Sequence, residues 1–586
     1  MPIEKRWVLK PQGDPQRTAQ LAAATGIPKV LANLLVQRGI DTYESVSRFF
    51  NPKLSDLHDP FLMKDMDKAV RRIDEAVSRG EKIMVYGDYD VDGTTAVALV
   101  YIFLRQQGVK DMLFYIPDRY TEGYGISKLG VDYAKRQGVN LIIALDCGIK
   151  AVEKVAYANQ LGIDFIICDH HLPGEEIPAA VAVLDPKRED DTYPFDELSG
   201  CGVGFKLVQG YCQMKGIPFE HIMPLLDLVV VSTAADIVPL VDENRILAHY
   251  GLLKLNENPR KGLQSIIKIC GLEGHKITID DIVFKIGPRI NAAGRMAVDR
   301  EEDMTAPSGG HAAVNLLVER DEDLADAFGV LIDSSNQERK SIDRSVTQEA
   351  HRYIESHPEY RMLKSTVIYN PKWMKGIVGI VASRLIETYY RPTVILTMSN
   401  GFVTGSARSV PGFDLYQAVE SCADLLENFG GHMYAAGLTM KPENVQEFTR
   451  RFNEYVEKHI DPSMLVPQVE IDSELLFSDV TPSFMATLEA FQPFGPGNTA
   501  PVFMTRGVSN RGDARLVGAE REHLRMDLTQ RQKPNTTLAA IAFQQPAYYE
   551  WIKGGRPIDV CYTVVENHYR GKTSPQLRIK DIKIVR

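Results

Sequence analysis

The chain has 586 residues, 44% hydrophobic and 25% charged, with a formal charge of −10. That length calls for three or four domains, and the composition excludes a disordered or collagen-like chain. No stretch approaches the ~20 apolar residues of a membrane span, the N-terminus has no apolar run of signal-peptide length, and seven scattered cysteines without a C-x-x-C pair argue against a disulfide framework or a thiolate zinc site.

Residues 1–80 read as short helices, the last being DMDKAVRRIDEAVSRG, in which Ala69, Ile73 and Val77 fall at helical spacing and Gly80 supplies a stop. Strand-like runs then alternate with helices to about Leu240: IMVY, MLFYIP, LIIAL, DFIIC and VAVLDP, with helices over 94–107, 131–137 and 152–161. This alternation specifies a doubly wound parallel sheet. The run LLDLVVVSTAADIVPL stays open between buried helix and strand, because apolar periodicity does not separate them. Residues 314–357 are polar, charged and free of proline, which predicts a largely helical connector with a solvated charged face. A second α/β unit follows, with strands STVIYN and RPTVILTM and the helix GIVGIVASRLIETYY. After about Pro462, β-rich segments such as PVFMTRGVSN and IDVCYTVVEN predict a small barrel. Residues 501–586 carry 15 Lys and Arg against 8 Asp and Glu, so a basic C-terminal module sits on an acidic body, compatible with nucleic-acid binding.

Three strands end in acid or histidine: IMVY runs into GDYDVDG, LIIAL into DCG and DFIIC into DHH. Parallel α/β sheets bind ligands at the carboxyl ends of their strands, so Asp88, Asp90, Asp92, Asp146, Asp169, His170 and His171 should converge on one crevice. A single Asp after a strand serves as readily as a helix cap; three such strands with a His-His pair call for cations. Asp88, Asp90 and Asp92 alternate, so on a plain strand their charges would crowd one face. Oxygen donors with an imidazole suit magnesium or manganese. Paired ions of that kind clamp a phosphate and lower the pKa of a bridging water, so the residues point to metal-assisted phosphoester hydrolysis.

GDYDVDG, LDCG, CDHH and ADIVPL stand in the order and spacing of the DHH phosphoesterase superfamily, which the chain resembles. RYTEGYGIS, SGCGVGFKL, GPRINAAGRM, SARSV, FGGHMYAAG and FQPFGPGN resemble the RecJ subgroup, the single-strand-specific 5′ exonucleases. The resemblance runs from about Ile83 to the C-terminus. It implies an α/β multidomain protein: a DHH catalytic domain over 81–313 with helices 1–80 packed on it, the connector over 314–357, a DHH-associated substrate-binding domain over 358–461 and an OB-fold-like nucleic-acid-binding barrel over 462–586. It also implies two divalent cations, Mn2+ or Mg2+, held by Asp88, Asp90, Asp92, Asp146, His170 and Asp236. His171, Asp146 and Asp169 would serve catalysis, His171 on the scissile phosphate and Asp169 either orienting a histidine or capping a turn. Arg119, Tyr124, Arg289, Asn291, Arg295, Ser406, Arg408 and His432 would bind substrate, arginine giving bidentate phosphate recognition.

The activity so implied is hydrolysis of single-stranded DNA from its 5′ end to 5′ mononucleotides, in repair and recombination, by a cytoplasmic monomer working with a single-strand-binding protein and a helicase. Two other readings stay open: a DHH phosphatase acting on short oligonucleotides or cyclic dinucleotides, and a non-catalytic DNA-binding scaffold. Phe503, Phe543, Tyr562 and Tyr569 interleave with basic residues in the barrel, a composition that stacks bases, although core burial is the commoner use of such rings. Two departures stand out: Met374 occupies a position commonly His in related exonucleases, and an acidic loop spans 297–313. Cys147 and Cys168, beside the strand-end acids, read as small core residues.

Overall fold

The computed structural model describes residues 4–296, 309–530, 533–569 and 572–585. A strand, β1 (Arg6–Leu9), and helices Pro15–Thr25, Lys29–Gln37 and Tyr43–Phe50 precede helix Met66–Arg79, which stops where Gly80 turns left-handed. The first sheet holds β2 (Ile83–Gly87), β3 (Met112–Tyr115), β4 (Leu141–Leu145), β5 (Asp164–Cys168) and β6 (Ala182–Leu184), all parallel, in the order β3-β2-β4-β5-β6. Strands β2 and β4 are buried along their whole length, which is why they read as unbroken apolar runs. From β2 the chain crosses to one side, and β4 returns on the other, so the order reverses between them and a crevice opens at their carboxyl ends. Asp88 and Asp146 follow those two strands directly.

The ambiguous apolar run is a buried helix, Leu226–Ala235, packed against helices Val91–Gln106, Gly200–Lys215 and Asp242–Glu257. It is apolar all round because it is surrounded. Residues 297–308 of the acidic loop lie outside the described residues; from Gly309 the chain is helical, and Val314, Leu316 and Leu317 enter the core of the first domain. The domain therefore extends past 313, and the connector proper is one 35-residue helix, Glu322–Ser356. It is not simply a solvated rod. Ile332 joins the first domain's core, whereas Val346, Ala350 and Ile354 join a core of the second.

The second sheet contains β7 (Thr366–Tyr369), β8 (Thr393–Ser399), β9 (Phe402–Arg408), β10 (Leu426–His432) and β11 (Ala435–Met440), in the order β10-β11-β9-β8-β7, with only β7 and β8 parallel. The C-terminal strands are β12 (Gln468–Ile471), β13 (Ser473–Glu474), β14 (Phe503–Asn510), β15 (Arg515–Val517), β16 (His523–Gln530), β17 (Lys533–Ala542), β18 (Ile558–Tyr569) and β19 (Lys572–Ile584). Pairing of β14 with both β16 and β18 closes β14-β18-β19-β17-β16 into a five-stranded barrel.

The N-terminal segment packs on two domains. Strand β1 pairs with β12, and Leu21, Leu31, Leu34, Leu35 and Val46 share the barrel's core with Phe484, Phe503 and Tyr562. From about Phe49 the segment turns to the first domain: the Phe49 carbonyl accepts from Arg245 and the Pro52 carbonyl from Tyr250, Leu54 and Leu57 pack against that core, and Met63, Met66, Val70 and Ile73 enter it. An amphipathic helix advertises a buried face but not its partner, and the partner here lies more than 400 residues away in the chain.

The barrel also touches the segment that carries Asp236. The Leu240 N–H donates to the Pro496 carbonyl at 2.7 Å, and a Cβ on Gly495 would stand 2.6 Å from Leu240 Cδ1. The FQPFGPGN loop is thus seated on ADIVPL. Gly495→Val should cost ~1–3 kcal/mol by overpacking and raise the Mn2+ concentration required for half-maximal activity. A lowered Tm with unchanged Mn2+ dependence would show that the loop does not hold Asp236.

Candidate metal centre and substrate cleft

The three aspartates of GDYDVDG do not share a strand face. Strand β2 ends at Gly87, and Asp90 caps helix Val91–Gln106, its Oδ1 accepting from the Gly93 N–H at 3.1 Å. Asp92 lies in the first turn, where the helix dipole favours carboxylates. Its Oδ2 accepts from the Gly200 N–H at 2.6 Å, and its Oδ1 from the Cys201 N–H at 2.7 Å and Ser232 Oγ at 2.6 Å. Gly200 opens the helix Gly200–Lys215, and a Cβ there would come within 2.6 Å of Asp146 Cβ. Sequence reading named SGCGVG only as a resemblance; a serine cap followed by alternating glycines is the signal of a helix N-terminus that must approach something closely.

His170 stands at the centre. Its Nε2 lies 3.2 Å from Asp146 Oδ1, 3.7 Å from Asp92 Oδ2 and 3.7 Å from Asp236 Oδ2. Asp92, His170 and Asp236 form one group able to hold a cation, and Asp146, His170 and His171 form another, the donor atoms of each within 4.8 Å of one another. Two buried polar atoms of the cluster, Asp88 Oδ2 and His170 Nδ1, have no hydrogen-bond partner. Burial, and then the neighbouring carboxylates, push Asp88 and Asp146 well above the ordinary range and Asp236 up to about 8. Such a set is tolerable only when protonated or neutralised, and its oxygen and imidazole donors fit manganese or magnesium. The backbone is strained beside it: Asp146 (φ 58°) and Ile237 (φ 61°) are both left-handed, and for a β-branched residue that conformation is a true outlier.

Asp169 is buried beneath His171. Its Oδ1 accepts from His171 Nδ1 at 2.7 Å and from the His170 N–H at 2.8 Å; its Oδ2 accepts from the Ile149 N–H at 2.9 Å. Burial alone would raise Asp169, but these hydrogen bonds hold it at about 2, and burial alone would lower His171, but Asp169 raises it to about 9. His171 Nε2 lies 3.0 Å from the Tyr124 hydroxyl, which donates to the Asp146 carbonyl at 3.2 Å. The imidazolium is therefore held at both nitrogens. A cavity of about 370 Å3 opens here, lined by Tyr124, Lys150, Lys154, His171 and, from the second domain, Gly431. Neither lysine was singled out from sequence. Cys147 and Cys168 are buried with their thiols pushed up by that burial, so they belong to the core.

Guanidinium groups without carboxylate partners among the described residues stand in both domains. Arg119 lies 4.0 Å over the Tyr89 ring and donates to the Gly294 carbonyl; the alternative partner Glu122 is taken by Tyr115 and Ser127. Arg295 is pushed down to about 10, by burial and then by Arg119 and Arg339, and donates to the Gly376 carbonyl. Arg408 donates to Ser406 Oγ at 2.8 Å, and burial lowers it. Ala435 pairs with both Arg408 and His432, so Ser406, Arg408 and His432 share one face of the second sheet. FGGH closes strand β10 and is not itself the turn. GPRINAAGR is a helix, Gly287–Ala293, in which Asn291 Oδ1 accepts from the Val91 N–H and Arg289 pairs with Asp333 of the connector. Both therefore have structural partners that the sequence did not disclose. Met374, partly buried, packs against the second domain's core and offers no donor comparable to imidazole.

A parallel sheet whose switch point gathers carboxylates and imidazole opposite a wall of guanidinium groups defines a metal-dependent phosphoesterase of the DHH type. The DHH family N-terminal domain matches residues 82–233, the DHHA1 domain 362–458 and the RecJ OB domain 471–581. The single-stranded-DNA-specific exonuclease RecJ of Bacillus subtilis (strain 168) is 36% identical over 583 residues, covering 99% of this chain and 71% of that protein. Its Escherichia coli (strain K12) namesake is 32% identical, covering 96% and 97%. The crystal structure of RecJ in complex with Mn2+ from Thermus thermophilus superposes with a TM-score of 0.82 at 25% identity, covering 99% of this chain and 80% of that one. The chain belongs to the RecJ family of DHH exonucleases.

Because Asp146 is a buried carboxylate among like charges, Asp146→Asn should stabilise the metal-free protein by ~1–2 kcal/mol while abolishing the rise in Tm that Mn2+ produces in the wild type. Thermal melts with chelator and with Mn2+ measure both effects. Loss of stability in chelator would show that Asp146 is not under repulsive load.

Proposed function

We propose that this protein is a divalent-cation-dependent exonuclease that degrades single-stranded DNA from its 5′ end to 5′ mononucleotides. The observation that carries the reading is the carboxylate–imidazole cluster around His170, with two buried donor atoms unpartnered, facing guanidinium groups that lack carboxylate partners among the described residues. Asp88, Asp90, Asp92, Asp146, His170 and Asp236 would hold two cations, which supply a lowered-pKa water as nucleophile. His171, kept protonated by Asp169, would donate from Nε2 to the scissile phosphate once the phosphate takes the place of the Tyr124 hydroxyl there. Arg119, Arg295, Ser406 and Arg408 are suited to hold a terminal phosphate, which would fix where the strand begins and release one nucleotide at a time. Membership of the family supports the single-stranded DNA substrate and the 5′ polarity, and a terminal-phosphate pocket on the second domain suits a start from a strand end.

The closed barrel fits a strand rather than a dinucleotide, since a small-substrate phosphatase has no use for it. Phe503 and Tyr562 are fully buried and fill its core, so base stacking falls to exposed rings such as Phe543, over which Arg578 lies at 5.3 Å; the side chain of Tyr569 lies outside the described residues. All seven cysteines are free thiols, and among the described residues no helix is long and apolar enough to cross a membrane; both suit the cytoplasmic setting we infer. A single-strand-binding protein, a helicase and a monomeric state belong to the same reading, in a repair and recombination role.

Digestion of single-stranded DNA labelled at one end or the other tests the reading. Labelled mononucleotide should appear at once from the 5′ label, only with Mn2+ or Mg2+, and His171→Ala should slow it by ~10²–10⁴-fold. Immediate release from the 3′ label, or persistence in chelator, would overturn it.

A further inference from the structure

The connector helix carries a second feature that the catalytic reading does not use. Residues 336, 339, 340, 343, 344, 347 and 348 recur at intervals of three and four, so they form a single stripe along helix Glu322–Ser356. That stripe floors a cavity of about 560 Å3 walled by helix Gly287–Ala293 on one side and helix Lys375–Tyr389 on the other. Arg339, Lys340 and Arg344 project from it, and none of them forms an ion pair among the described residues. The one carboxylate lining the cavity, Asp343, is already engaged by Arg384. A mere solvated face would carry mixed charge; this one is almost wholly cationic.

Two further observations point to a ligand. Asn336 is fully buried, and its Oδ1 accepts from Arg339, which fixes the amide's orientation and leaves Nδ2 as a donor without a partner on the cavity wall. At the rim, the chain forms a π-helical turn, Ile282–Ile286, and holds Phe284 there 74% exposed; no other described aromatic side chain is as exposed. Such turns recur at functional sites. Unpaired cations, a spare donor and an outward-facing ring are what a strand of nucleic acid needs: phosphates along the cations and a base on the ring. From 336 to 348 the stripe is ~18 Å long at 1.5 Å per residue, room for about five phosphates of a stacked strand.

We propose that this groove is an additional binding site for single-stranded DNA, holding phosphates of the substrate strand outside the catalytic cleft, with Lys340 and Arg344 as phosphate contacts and Phe284 as a stacking platform. It rests on the reading of the substrate given above. Arg339, close enough to Arg295 to help lower its pKa, lies between the groove and the cleft.

The test is binding of 3′-labelled oligothymidylates of 4 and 30 nucleotides, measured by fluorescence anisotropy in chelator across a range of salt, for the wild type, the Lys340→Glu/Arg344→Glu double variant and Phe284→Ala. The double variant should bind the 30-mer at least tenfold more weakly, with a log–log salt slope shallower by about 1.4, as loss of two phosphate contacts on a single strand requires. Its affinity for the 4-mer and its Mn2+-dependent cleavage of the 4-mer should stay as in the wild type. Phe284→Ala should weaken 30-mer binding with the slope unchanged, which guards against misfolding of the charge-reversed protein. Wild-type affinity and slope for the 30-mer in both variants would overturn the proposal, and so would competition by tripolyphosphate that leaves 30-mer binding untouched. Failure of the wild type to cleave either oligonucleotide would instead count against the exonuclease reading, since the binding is scored without metal.

Discussion

Repulsion among buried carboxylates governs this protein. Asp88, Asp92 and Asp146 are almost wholly excluded from water, and Asp90 and Asp236 stand beside them. No folded chain gathers such a set without something to oppose the charge, and the surroundings supply only part of it. The N–H groups of Gly200 and Cys201 and the Ser232 hydroxyl satisfy Asp92, whereas Asp88 Oδ2 and His170 Nδ1 are left with nothing to bond. Divalent cations complete the set, and the architecture serves to hold the ligands ready for them. The sheet's switch point sets Asp88 and Asp146 across a crevice, two helix N-termini present Asp90, Asp92 and the N–H groups that receive Asp92, and the barrel's glycine-rich loop presses on the segment bearing Asp236.

The opposite wall has the opposite problem. Arg295 and Arg408 are guanidinium groups lowered by burial, without carboxylate partners among the described residues, and they belong to different domains. A phosphate between cations and arginines relieves both deficits at once, which is why the cleft suits a phosphodiester better than a neutral or cationic ligand. Charge segregation also explains how a chain of net charge −10 can bind a polyanion: carboxylates gather at the metal centre, while the connector groove is lined mainly by cations and residues 501–586 carry 15 Lys and Arg against 8 Asp and Glu.

Much of this was legible in the sequence, for identifiable reasons. Strands β2, β4 and β5 are buried runs each ending in acid or histidine, and the rule that α/β sheets bind at their carboxyl ends turns such endings into a site. What escaped depended on contacts between distant segments. The RWVL strand at 6–9 is too short to stand out and pairs only with residues 468–471. Asn291 and Arg289, expected from the resemblance to bind substrate, each also have a partner in another element. Aspartates spaced two apart suggested a strand face, but capping at Asp90 starts a helix there instead. The connector's charges read as solvated because the sequence does not reveal that helices Gly287–Ala293 and Lys375–Tyr389 wall them in.

The most direct measurement is anomalous diffraction at the manganese edge from crystals equilibrated with Mn2+. Two peaks should appear, one bonded by Asp92, His170 and Asp236 and a second beside it reached by Asp146, with oxygen ligands at ~2.0–2.2 Å. A single peak, or none within bonding distance of His170, would contradict the view that cations hold this carboxylate cluster together.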